Sequence, residues 1–118
     1  MKRYWLAIPL AFVATAPAHA TAGMYCSTGG AKPIELSLVI SRVVGGPLVS
    51  AALRDDGADI PGSMAQWWLD DKEMRLIFID PNAEVEEAVL MTKRRGDDYV
   101  GQVTRGGRSL RVRCEESG

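Results

Sequence analysis

A chain of 118 residues, 47% hydrophobic and 25% charged, has room for one domain and is too short for two. Its 14 Lys and Arg against 15 Asp and Glu leave a formal charge of −1, which excludes the global positive field expected of a nucleic-acid binder. Partners are therefore sought in local patches.

Residues 1–20 read as an export signal. Lys2 and Arg3 supply a basic start, an apolar run follows from Tyr4 to Ala16, and Ala18-His19-Ala20 is a small-x-small cleavage site. The run falls short of the ~20 apolar residues that a spanning helix needs, so cleavage after Ala20 is expected rather than stable membrane insertion. The mature chain, residues 21–118, is expected to be periplasmic or secreted, and the short Ala-rich signal suits a bacterium. Cys26 follows Gly23-Met24-Tyr25 and no lipobox, so a lipid anchor is not expected. Removing Lys2 and Arg3 leaves 12 basic against 15 acidic residues, and His19, the one histidine, leaves with them. Without imidazole there is no Ser-His or Cys-His pair and no His-ligated metal site, so neither an enzyme nor a cofactor is expected.

A short first strand is expected around Tyr25 to Thr28. Residues 34–44 alternate, with Leu36, Leu38 and Ile40 on one face and Glu35, Ser37 and Ser41 on the other, which predicts a strand. Gly45-Gly46-Pro47 supplies a turn, and Leu48 to Leu53 returns antiparallel. From Arg54 to Ser63 the composition shifts to Asp, Gly and Pro, which predicts the longest loop. Two β-rich runs follow, Ala65 to Asp70 and Glu73 to Asp80, around Asp71-Lys72. Glu84 to Arg94 fits a helix or a strand by composition and is read as a strand because its neighbours are strands. Arg95-Gly96-Asp97 reads as a turn rather than as an adhesion motif. Tyr99 to Arg105 and Arg108 to Cys114 flank Gly106-Gly107, a hairpin signal, with Leu110, Val112 and Cys114 facing one way and Arg111 and Arg113 the other.

About eight antiparallel strands with short connections predict an all-β fold, a small up-and-down barrel, with a two-sheet sandwich as the alternative. Cys26 and Cys114 lie 88 positions apart, one near each end of the mature chain, and an oxidising compartment pairs them. The lack of CxxC spacing favours a structural staple, and a bond between first and last strands favours closure into a barrel. In plan, an exported, disulfide-tied barrel resembles lipocalin-like proteins and the periplasmic inhibitors of c-type lysozyme, although no shared motif identifies either family.

Charge is segregated along the chain. Arg54 to Thr92 holds three basic and ten acidic residues, net −7, whereas Lys93 to Arg113 holds seven basic and two acidic, net +5. Cross-strand pairing of solvated charges is one reading, and an Arg-rich patch that docks an opposite charge is the other. Asp55, Asp56 and Asp59, and separately Asp70, Asp71 and Glu73, lack calcium-loop spacing and read as turn chemistry. Trp67-Trp68 on a strand points one ring to each face, so one is expected in the core and the other at a partner. The expected function is an exported, non-enzymatic binding module, an inhibitor or an envelope-associated protein that recognises a protein or an envelope polymer. Its candidate contacts are Arg105, Arg108, Arg111, Arg113, Trp67 and Trp68. The alternative is a lipocalin-like carrier of a small apolar ligand.

Overall fold

The computed structural model describes residues 21–41 and 48–117; the export segment and the Gly45-Gly46-Pro47 turn lie outside the described residues. Nine strands form one antiparallel sheet: β1 (Thr21–Ser27), β2 (Ile34–Ser41), β3 (Leu48–Asp55), β4 (Ala58–Ile60), β5 (Ser63–Leu69), β6 (Glu73–Ile79), β7 (Glu86–Arg95), β8 (Asp98–Arg105) and β9 (Arg108–Ser117). The sheet order β4-β3-β2-β1-β9-β8-β7-β6-β5 is an up-and-down meander whose first and last strands pair. The fold is therefore all-β and barrel-like, closed where the chain ends meet and open between β4 and β5. No helix among the described residues is long and apolar enough to cross a membrane.

The Cys26–Cys114 disulfide joins residues that face each other directly in the β1–β9 ladder. Around it the period-two pattern does the sorting. Leu36, Leu38 and Ile40 of β2 are buried, and Ser37 and Val39 between them are exposed. The interior is filled by Ile34, Leu36, Leu38, Leu53, Met74, Leu76, Phe78, Leu90, Val103 and Val112, all fully buried around the disulfide. Each large side chain removed from water contributes about 1.5–3 kcal/mol. Thr92, also buried, donates its hydroxyl to the Met74 carbonyl at 2.9 Å, so its polar atom is satisfied. Beside it β8 passes so close to β7 that a Cβ on Gly101 would lie 2.0 Å from the Met91 carbonyl oxygen, and only glycine fits there.

Two expectations are corrected. The Arg54 to Ser63 loop is instead the end of β3, a two-residue turn and β4, because Asp56 (φ 53°) and Gly57 (φ 84°) adopt the left-handed pair of a type I′ hairpin. The density of turn residues there marks a sharp reversal rather than a long excursion. Neither tryptophan is in the core: Trp67 is 36% exposed and Trp68 50%. The bulk expected from one of them comes from Met74, Leu76 and Phe78 of β6. The ambiguous segment is a strand, β7, and Leu110, Val112 and Cys114 alternate with exposed Arg111 and Arg113 as expected.

Replacing Cys26 and Cys114 together by Ala should lower unfolding free energy in urea by about 4.6 kcal/mol, the value for a loop of this length in the chain-entropy model. An unchanged midpoint would show that β1–β9 pairing closes the sheet without the cross-link.

Candidate functional site

The candidate residues separate into two groups. Arg105 belongs to the inner face at the end of β8. Its Nε donates to Asp55 Oδ2 at 2.7 Å, and one terminal nitrogen donates to Glu87 Oε1 at 2.9 Å and to the Glu87 carbonyl at 3.0 Å. The side chain is only 18% exposed and closes one end of the barrel by joining the end of β3 to the start of β7. Burial alone would lower its pKa, but hydrogen bonds to Asp55 and then Glu87 outweigh this and hold the guanidinium firmly protonated. Arg105 is thus engaged by the fold rather than presented to a partner. Arg108 is exposed at the same end, beside Glu86 and Val85.

Trp68, Arg111 and Arg113 share the outer face. In antiparallel pairing, opposed residues lie on one face. The ladder sets Trp68 opposite Arg75, Arg75 opposite Met91, Met91 opposite Gln102, and Gln102 opposite Arg111. One row thus crosses five strands, about 19 Å at the usual strand spacing. The parallel row holds Lys93, Val100 and Arg113. Two shallow grooves follow these rows. One, of about 300 Å³, lies along Gln66, Trp68, Arg75, Ile77, Val89 and Met91; the other, of about 440 Å³, lies along Arg95, Val100, Gln102, Arg111 and Arg113. They meet at the Met91–Gln102 pair. Met91, 56% exposed, was not among the residues singled out, since nothing in its own flanks separates it from the inward Leu90 and Thr92 beyond strand register.

Trp67 sits opposite buried Leu76, on the inner face, but β5 is an edge strand and nothing pairs on its far side. That is why its ring remains partly exposed. Trp68 is fixed in place: its indole N–H donates to Asp70 Oδ2 at 2.8 Å, and the Arg75 guanidinium lies 6.0 Å from its ring centroid. Asp70 is the hub of the β5–β6 turn, its other oxygen accepting from the Lys72 and Glu73 amides at 2.8 Å each. These bonds, that from Lys72 first and then those from Trp68 and Glu73, hold its carboxyl below the usual carboxylate range. Nearby, Tyr99 donates its hydroxyl to the Asp70 carbonyl at 2.6 Å, and burial raises its phenol pKa.

Part of the charge segregation resolves into ion pairs within the fold. Arg54 pairs with Asp59 at 3.2 Å, Arg75 with Glu73 at 3.3 Å, and Arg113 with Asp98. Such exposed pairs contribute little to stability. Lys93, Arg95 and Arg111 form no ion pair among the described residues. Of the acidic residues equally without an ion pair, Asp56, Asp71, Glu84 and Asp97 sit in turns and loops and Glu86 and Glu115 near the ends of β7 and β9, so the unmatched positive charge is that of Lys93, Arg95 and Arg111.

Fold and surface together define a small, disulfide-tied, barrel-like antiparallel sheet with an aromatic, aliphatic and arginine-rich side wall. Comparison with protein-family models, curated proteins and solved structures returned no match.

Arg105→Met should leave Asp55 and Glu87 facing each other unpaired and lower stability by about 2 kcal/mol, because a partly buried pair loses one member. The Arg105→Met/Asp55→Asn/Glu87→Gln triple variant should recover part of that loss in urea denaturation. The lowered Asp70 pKa stabilises the turn above the ordinary carboxylate pKa, and this is lost as pH falls through the folded value. Emission from Trp68 should therefore change on acidification through and below the ordinary carboxylate range, with that change absent in Asp70→Ala. Coincident titrations would show that the carboxylate does not hold the ring.

Proposed function

We propose that the protein is an exported, non-enzymatic binding module that engages a protein or an envelope polymer through the outer wall of β5–β9. The observation that carries this reading is the in-register row of Trp68, Arg75, Met91, Gln102 and Arg111 on a rigid sheet. Trp, Met and Arg are the residue types enriched at the centre of protein interfaces, and Trp and Arg dominate their energetics. Export is supported by the basic, apolar and small-residue order of residues 1–20 and by the disulfide, a bond typical of oxidising compartments. A non-enzymatic role is supported by the position of the one histidine, His19, inside that segment. The interior behind the wall is occupied by Leu76, Leu90, Val103 and Val112, which leaves the carrier alternative without a described internal cavity to rest on.

A photo-reactive residue at Gln102 tests the reading in the exporting cell. It should give a cross-linked species that the same residue at Ser50, exposed on β3, does not give. Equal cross-linking from both positions, or none from Gln102, would remove the β5–β9 wall as the working surface.

A further inference from the structure

The partner's chemistry can be read more narrowly from the same wall, and this step rests on the binding reading above. We propose that the occupant is a protein whose docking segment places an aromatic or aliphatic side chain beside carboxylates, the apolar group on the Ile77, Val89 and Met91 floor and the carboxylates on Arg111 and Arg95.

Charge and apolarity are spatially divided on the wall. On the β5–β7 side, Trp68 and Met91 are half exposed, and Ile77 and Val89 lie in the next row along the same groove as an aliphatic floor. On the β7–β9 side, Arg95 and Arg111 border one groove and have no acidic neighbour within ion-pair distance among the described residues. Arg113 beside them is committed to Asp98, so the side chains left to form a planar fork with an incoming carboxylate are Arg95 and Arg111. An acidic partner gains from this unmatched charge, and a neutral or basic one does not.

A sugar polymer fits less well. Carbohydrate rings stack on open aromatic faces, whereas Trp68 carries the Arg75 guanidinium over its ring and has its N–H bonded to Asp70. The groove floor of Ile77, Val89 and Met91 offers no hydrogen-bonding side chain to hydroxyls that would lose water there. An apolar side chain loses nothing on that floor and buries area against it.

The test selects a random displayed peptide library against the protein expressed from its full sequence, and in parallel measures dextran sulfate binding by calorimetry. Enriched peptides should combine Asp or Glu with a Leu or aromatic residue, and their binding should weaken as salt is raised. Met91→Asp and Arg111→Glu should each weaken a synthetic peptide by about tenfold, and Lys32→Glu, in the β1–β2 loop, should not. Both variants change exposed side chains, and circular dichroism checks that the fold is kept. Peptides without acidic bias, or insensitive to both substitutions, overturn the inference. Arg111-dependent dextran sulfate binding with no peptide enriched overturns it in favour of a polymer, while the wall remains a binding surface. Failure of every probe overturns both.

Discussion

The pairing of β1 with β9, locked by the Cys26–Cys114 bond, is the constraint on which the rest of the structure depends. A meander of nine strands has two natural edges, one at each end of the chain. Joining the ends removes both and leaves the discontinuity in mid-chain, between β4 and β5. That displacement has consequences for side chains far from the disulfide. It makes β5 an edge strand, which leaves Trp67 without a covering neighbour and lets Trp68 stand on the outer wall beside Arg75. It also puts β9 in the middle of the sheet, so the basic C-terminal segment is held between β1 and β8 instead of trailing into solvent.

Once the sheet is closed, the two kinds of charge serve different ends. Arg105 bridges Asp55 and Glu87 across one end of the barrel, where unpaired polar groups near the core would be costly. Asp70 and Asp80 organise turns through backbone amides; Asp80 accepts from Glu84 and Val85 at 2.7 Å each. Much of the acidic segment is thereby consumed locally. Apart from Arg105, the basic segment has fewer such duties: Lys93, Arg111 and Arg113 alternate with buried Thr92, Val112 and Cys114 on β7 and β9 and point outward. A linear segregation of charge in the sequence becomes a spatial division between the barrel ends and the barrel wall.

Much of this was legible in the sequence because a strand with one buried face writes its register in period two. β2 and β9 were readable residue by residue, and the two cysteines announced the closure. The failures share a physical origin. Asp, Gly and Pro between Arg54 and Ser63 indicate reversal, and composition alone does not tell a tight I′ turn with a three-residue strand from a long loop. One of Trp67 and Trp68 is expected in the core because large aromatics usually are, and the exposure of the inward one, Trp67, depends on which strand lies at the sheet edge, a property of topology. Arg105 looked like its neighbours Arg108 and Arg111, and only the tertiary approach of Asp55, 50 positions earlier, distinguishes it. Met91 was overlooked for the same reason: a surface methionine becomes informative when Trp68 and Arg75 are found in its row.

In the proposed binding role, the outer wall gains from being built on strands rather than on loops. Its side chains are spaced by hydrogen-bonded ladders, and Trp68, the largest of them, is held by Asp70 and Arg75 before any partner arrives. Ordering flexible side chains on association costs about 0.5–1.5 kcal/mol each, so a wall ordered by the fold retains more of its contact energy as affinity. The disulfide extends that advantage to the backbone, because β8 and β9 cannot separate from β1 without opening the barrel at its closure. The β7–β8 and β8–β9 ladders in turn fix the distance between the aliphatic floor and the unpaired arginines.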